Sequence, residues 1–174
     1  MLLTVDIGNT NVLVGCFEGS ELVHECRLKT DSYRTVDEYD AVLSSLWRER
    51  FGDGLQISQV VISSVVPQLT PTFVQICEKR FSCTPLQIGP GVKTGISIRT
   101  QDPSAVGADR VVNSVAACNL YGPGVIIIDF GTATTFDVVD TDRAYIGGII
   151  APGIEVSLDA LVTRTAKLPR IDLA

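Results

Sequence analysis

The apolar and polar positions of this chain fall into two similar series, and each opens on a short apolar strand. Leu2, Leu3 and Val5 lead into Asp6, Gly8 and a cluster of small amide and hydroxyl residues, and a second apolar run starts at Val12. Strands are predicted over 12–17 and, by alternation, over 22–28, with Glu18-Gly19-Ser20 as the hairpin between them. Residues 36–50 change to a helical period. Val42, Leu43, Leu46 and Trp47 form its apolar stripe, and Asp37, Glu38 and then Arg48, Arg50 match the helix dipole. A central strand over 58–66 stops at Pro67, a helix over 70–81 is opened by Pro71, and a short strand covers 84–88. The first segment therefore reads βββαβαβ.

Gly89 to Gly95 is a shaped loop around Lys93 that either covers a site or connects two elements. Asp102 as cap and Pro103 at the first position open a helix predicted over 103–121. Wound at about 100° per residue, it places Ala108, Val111, Val112 and Val115 on one side and Val106, Asp109, Arg110 and Asn113 on the other. Such a face presents an acid, a guanidinium and an amide together; alone, it is equally the pattern of a solvated face with a short-range ion pair. After Gly122-Pro123-Gly124 the opening pattern returns: strand 125–130, turn 131–134, strand 135–139, the turn Asp140-Thr141-Asp142, strand 144–150, then a helix over 152–163 begun by Pro152. Domains are accordingly expected over 1–121 and 122–174, the second incomplete, since it lacks the further helix and strand layers of the first.

Composition narrows the function classes. With 174 residues, 45% hydrophobic and 20% charged, the chain is expected to bury a core. A formal charge of −6 with no cluster of Lys and Arg argues against a nucleic-acid partner. No apolar run approaches the about 18 residues of a membrane-spanning helix, and the short apolar start is unlike a leader, so a cytoplasmic protein away from the membrane is expected. The five cysteines are scattered and read as reduced core thiols, and the single histidine, His24, as a surface residue.

The chemistry is concentrated at the two strand-to-strand turns. In Thr4-Val-Asp-Ile-Gly-Asn-Thr-Asn11 a glycine allows close backbone approach, and exposed amides with Asn9 and Thr10 can surround phosphate oxygens. Asp6 can hold a divalent ion against the same phosphates. An Asp-x-Gly-Asn turn also makes ordinary hairpins. The pattern gains weight because Asp129-Phe130-Gly131-Thr132 repeats it.

Duplicated βββ meanders headed by Asp-x-Gly turns resemble the superfamily of acetate and sugar kinases, actin and the heat-shock ATPases. DIGNTN, GPGVKTG, GADRVVN, DFGTATTFD, the Gly147–Gly153 stretch and TAKLP resemble, in order and spacing, type III pantothenate kinase. The resemblance implies an α/β fold of duplicated ribonuclease-H-like (actin-like ATPase) domains, with mixed five-stranded sheets flanked by helices and the second domain truncated. It implies transfer of a phosphoryl group from ATP to the hydroxyl of pantothenate, the first step of coenzyme A biosynthesis.

By the same resemblance the ATP segment falls on Asp6, Ile7, Gly8, Asn9, Thr10, Asn11, Val12 and Leu13, with Thr132 in the second turn. The pantothenate motif falls on Gly107, Ala108, Asp109 and Arg110, with Asp109 as general base. Asp129 matches the monovalent-cation ligand (K+ or NH4+), Mg2+ accompanies the phosphates, and a homodimer is implied. Members of the family carry a further Gly-Lys/Arg-x-Thr stretch and a late Thr-Gly-Gly turn that this sequence lacks. Two other readings stay open on the residues: an actin-like module that uses ATP as a switch, and a sugar kinase of the same superfamily.

Overall fold

The computed structural model describes residues 1–165, 167 and 169. The TAKLP segment and the end of the expected second domain therefore lie partly outside the described residues. Contacts divide the chain into two compact units: Met1–Val92 with Gly107–Asp109, and Lys93–Val106 with the chain from Arg110 onward.

The first unit is built on a five-stranded mixed sheet. Strands β1 (Leu2–Ile7), β2 (Asn11–Glu18) and β3 (Glu21–Lys29) form an antiparallel meander. β4 (Gln59–Ser64) runs parallel to β1 on its other side, and β5 (Leu86–Gln87) parallel to β4, giving the order β3-β2-β1-β4-β5. Helices α1 (Val36–Phe51) and α2 (Thr70–Phe81) pack their apolar stripes on Leu3, Val5, Ile7, Val12, Val14 and Ile62 in one core. Thr35 and Glu38 close a capping box at the start of α1, satisfying amides that the first turn leaves orphaned. Arg80 of α2 grips Asp40 of α1 with both Nε and Nη2, at 2.8 and 2.9 Å.

Several expectations are corrected here. The α1 stripe is Tyr39, Leu43 and Trp47, whereas Val42 is exposed, because the helix turns the side carrying its aromatic residues inward. β4 ends at Ser64 rather than at residue 66: the Ser64 hydroxyl accepts the Val66 N–H at 3.1 Å and turns the chain out of the sheet. The strand expected over 84–88 shrinks to two residues. His24 is not a surface ornament, since its ring meets Phe51 edge-on at 5.5 Å.

The second unit repeats the meander with β7 (Val125–Phe130), β8 (Ala133–Val139) and β9 (Ala144–Pro152). A two-residue strand missed by the sequence, β6 (Ser97–Ile98), pairs parallel with β9, so the described sheet has four strands in the order β6-β9-β8-β7. Helix α3 (Ala108–Tyr121) begins five residues later than expected. Asp102-Pro103 opens only a single 3-10 turn over Pro103–Ala105, where the Asp102 carboxylate accepts the Ser104 N–H at 3.0 Å. Val106 is extended and is not on the helix face. Helix α4 (Ile154–Arg164) starts after Gly153, and Pro152 is the last residue of β9, opposite Ala133.

The two meanders agree in register. Asn11 stands opposite Lys29 as Ala133 stands opposite Pro152. The register slips at the corresponding step in both, between Cys16 and Phe17 and between Val138 and Val139. The second copy has one residue fewer in its first turn, since Ile7 faces Val12 but Phe130 faces Thr134. It has one residue more in its hairpin, since Phe17 faces Leu22 but Val139 faces Tyr145. The duplication expected from the sequence is therefore present down to the irregularity in its ladder.

Candidate active site

The first turn is held closed from three directions. The Gly8 N–H donates to the Asn11 carbonyl at 3.0 Å, and a Cβ on residue 8 would lie only 3.1 Å from that oxygen. Thr30, the residue after β3, donates its hydroxyl to the Gly8 carbonyl at 2.6 Å and its N–H to the Thr10 carbonyl at 3.0 Å. Thr30 is itself fixed through the fully buried Tyr39, whose hydroxyl accepts the Asp31 N–H at 2.9 Å and donates to the Lys29 carbonyl at 3.2 Å. With its carbonyls engaged in this way, the turn presents Asn9 and Thr10 outward.

Not every residue of the segment expected to bind ATP offers a side chain. Ile7 and Val12 are core residues, 1% and 0% exposed, so they can contribute only backbone atoms. Leu13 lies partly exposed on the other face of β2, and Asn11 is half-buried at the start of that strand. Asp6 is half-buried, opposite Leu13 on β2 and Ser63 on β4.

The second turn is closed in the same manner. The Gly131 N–H donates to the Ala133 carbonyl at 2.9 Å, and the Gly153 N–H, one residue past β9, donates to the Thr132 carbonyl at 3.1 Å. Residue 153 must be glycine, because a Cβ there would collide with the carbonyl oxygens of Gly131 and Thr132. Thr132 is exposed, as is Asp129 near the end of β7, whose Oδ2 accepts from Asn113 Nδ2 of α3 at 3.3 Å.

Residues 107–110, expected from the resemblance to meet pantothenate, lead into the head of α3. Gly107 precedes the helix, and a Cβ there would sit 2.5 Å from Asp109 Oδ1, so the glycine leaves room for the carboxylate to lie back over the chain. Asp109 falls in the first turn of the helix and Ala108 is its first residue. Arg110 donates from Nε to Asp137 Oδ1 at 2.6 Å, and its guanidinium carbon lies 5.7 Å from the centre of the Tyr145 ring. Asp137 is wholly buried, and the same Oδ1 accepts the Tyr145 hydroxyl at 2.7 Å. The helix buries Val111, Ser114 and Cys118, while Val112 and Val115 are half-buried.

Sequence reasoning missed Thr30, Asn113 as a partner of Asp129, and the Asp137–Tyr145 pair. Asp137 closes the DFGTATTFD stretch, so its position was visible; its partner, 27 residues earlier, was not. Lys93 lies in a loop without regular structure. A cleft of about 500 Å³ beside α2, lined by Pro67, Thr70 and Gln87 among others, contains none of the candidate residues.

Chemically, the two turns offer backbone amides and hydroxyls for phosphate oxygens, and the head of α3 offers a carboxylate next to a guanidinium. Among the described residues no group of three or more Asp, Glu, His or Cys gathers to hold a metal. The single carboxylate of Asp6 fits an ion such as Mg2+ that keeps water and phosphate oxygens as its other ligands, and Asp129 presents one exposed carboxylate that fits a monovalent cation.

The family model of type III pantothenate kinase matches residues 2–174. The type III pantothenate kinase of Moorella thermoacetica is 49% identical over 173 residues, covering 99% of this chain and 68% of that protein. That of Brevibacillus brevis is 51% identical over 174 residues, again with 99% and 68% covered. The chain thus spans about two thirds of the length of these relatives. Among solved structures, the ethanolamine utilization protein EutJ from Carboxydothermus hydrogenoformans superposes with a TM-score of 0.55 at 11% identity, over 92% of this chain and 55% of that one. The Ppx/GppA phosphatase of Aquifex aeolicus gives 0.54 at 15% identity, over 98% and 57%. At such identities they show the fold alone, which is that of the actin-like ATPases. A family model that runs almost the length of the sequence, and relatives identical at about half of their aligned positions, establish that the chain belongs to the type III pantothenate kinase family.

Proposed function

We propose that this chain transfers the γ-phosphoryl group of ATP to the primary hydroxyl of pantothenate, giving phosphopantothenate and ADP. The observation that carries the reading is the head of α3, where Gly107 makes room for the Asp109 carboxylate and Arg110 follows in a fixed setting. Asp109 takes the proton of the acceptor hydroxyl as its oxygen attacks the γ-phosphorus. The bond from that phosphorus to the bridging oxygen breaks, and ADP leaves with the electron pair. Arg110 pairs with the carboxylate of pantothenate, which an acidic protein would otherwise repel.

The first turn, through Gly8, Asn9 and Thr10, and the second, through Thr132, hold phosphate oxygens with amides and hydroxyls. Catalysis of phosphoryl transfer consists mainly of such positioning and charge neutralisation. Asp6 would hold Mg2+ against the phosphates and Asp129 a monovalent cation, K+ or NH4+; bound there, these ions neutralise phosphate charge. We extend the reading to a cytoplasmic homodimer. A monomer at micromolar concentration in sedimentation would remove the homodimer from it.

The test is Asp109→Asn, which keeps the side-chain volume and removes the base. Turnover is expected to fall by roughly a hundredfold to ten-thousandfold with the melting temperature unchanged. Near-normal turnover in this variant would show the base assignment to be wrong. ATP hydrolysis indifferent to added pantothenate would instead favour a nucleotide switch.

A further inference from the structure

We propose that Asp137 is a positioning residue for substrate selection: it aims the Arg110 guanidinium so that the enzyme tells a carboxylate-bearing acceptor from a neutral one. The inference rests on the reading above that Arg110 meets the pantothenate carboxylate. Three features of the second unit support it.

The first is the bond itself. Arg110 Nε donates to Asp137 Oδ1 at 2.6 Å, and with Asp137 0% exposed and the Arg110 side chain 14% exposed, water and salt screen the contact little. The second is the fixing of the carboxylate. The Tyr145 hydroxyl donates to Oδ1 at 2.7 Å and the Thr135 hydroxyl to Oδ2 at 3.4 Å, from β9 and from β8 itself, so Asp137 has little freedom to turn. The third is the shape of the seat. The Tyr145 ring flanks the guanidinium on one side, and Gly148 flanks it on another, where a Cβ would collide with Arg110 Nη2 and with the Phe136 carbonyl. Arg110 Nη2 also approaches that carbonyl at 3.5 Å.

An arginine needed only to balance the charge of Asp137 would require no such seat. A planar fork that must meet a carboxylate in register does, because bidentate recognition depends on orientation as much as on charge. Engagement through Nε fixes the plane of the guanidinium and the direction in which its terminal nitrogens point. The cost of burying Asp137 is then offset by specificity for an acidic acceptor.

The experiment compares Asp137→Asn, Tyr145→Phe and Arg110→Gln with the unsubstituted chain, using pantothenate and pantothenol, its neutral alcohol analogue, as acceptors. In Asp137→Asn the KM for pantothenate is expected to rise roughly ten- to a hundredfold, with the KM for ATP unchanged and the preference for pantothenate over pantothenol reduced in proportion. Tyr145→Phe should shift the same quantities in the same direction by less, and it serves if Asp137→Asn does not fold. An NMR measurement on the chain without substrate reads the Arg110 Nε–H directly. That proton is expected to be slow to exchange in the parent and to lose its protection in Asp137→Asn.

An unchanged acceptor preference in both Asp137→Asn and Tyr145→Phe, while Arg110→Gln abolishes it, overturns the role of Asp137 and leaves Arg110 as the carboxylate reader. If Arg110→Gln also leaves the preference intact, the reading of Arg110 itself fails. Equal increases in the KM of ATP and of pantothenate with a lower melting temperature reduce Asp137 to a structural residue and overturn the proposal. If the parent shows no turnover, retention of the protected Nε–H in Asp137→Asn is by itself sufficient to overturn it.

Discussion

Thr30 and Gly153 hold the same post in two copies of one motif. Each is the first residue past the third strand of its meander, and each donates its backbone N–H to the carbonyl of the turn threonine, Thr30 to Thr10 at 3.0 Å and Gly153 to Thr132 at 3.1 Å. They differ in what else they bring. Thr30 adds a hydroxyl bond to the Gly8 carbonyl, whereas Gly153 adds nothing because there is no space for a side chain.

Removal of that hydroxyl separates bracing from fold. Thr30→Val keeps the shape and the backbone bond but deletes the 2.6 Å contact with the Gly8 carbonyl. At about 1 kcal/mol for a hydrogen bond of this kind, ATP affinity is expected to weaken about fivefold. Pantothenate affinity should stay unchanged, and nucleotide titration is the measurement. An unaltered ATP affinity would show that the first turn does not depend on Thr30.

The second turn should respond to volume instead. Gly153→Ala places a methyl group against the carbonyls of Gly131 and Thr132. Overpacking of this sort costs about 1–3 kcal/mol, so a lower melting temperature is expected, together with weaker ATP binding. Full stability in this variant would mean that the turn moves aside at no cost.

The monovalent cation supplies a third prediction. Asp129 is exposed and takes a hydrogen bond from Asn113, so its carboxylate is oriented and accessible. Exchange of K+ for Na+ is expected to lower the rate, and Asp129→Asn to remove the difference between the two ions. A rate that ignores the ion in an otherwise active enzyme would exclude this role.

The buried thiols predict the alkaline limit of stability. Burial raises the Cys16 thiol to about 11 and the Cys77 thiol to about 12, from a starting value of 9.0 in both. The unfolded chain therefore loses these protons at lower pH than the folded one, so stability is intact below pH 9, falls as pH rises beyond it, and levels off above the folded values. Denaturant titrations across that window would show it, and a Cys16→Ala/Cys77→Ala double variant should lose much of the slope. An identical slope in the double variant would place the effect elsewhere.

How much of this was legible in the sequence depended on the range of the interaction. The Asp-x-Gly turns and the duplicated meander were visible because strand alternation and turn chemistry are local. β6 was not, because two residues carry no pattern and Ser97-Ile98 becomes a strand only by pairing with Ala144 and Tyr145. The α3 start was misplaced because Asp102-Pro103 is a sound helix opening; it opens a 3-10 turn that ends when Val106 turns extended. Hydrophobicity alone puts Val42 in the α1 stripe and passes over Tyr39, the residue whose hydroxyl has partners at the end of β3. The same limit hid Asp137. The resemblance named the residues of the α3 motif, but the carboxylate that seats Arg110 comes from a strand distant in the chain.

The closure of each Asp-x-Gly turn by the residue just past the third strand also bears on how such a protein can arise. Leu2–Thr30 and Val125–Gly153 are both 29 residues long, and each contains the carboxylate, the glycine turn and the residue that braces it. The bracing N–H bonds from Thr30 to Thr10 and from Gly153 to Thr132 both lie inside these segments. A gene segment of that size, copied once, already carries a second braced turn of the same kind. Among the described residues the strands added to the two meanders differ: β4 pairs with β1 of the first, and β6 with β9 of the second.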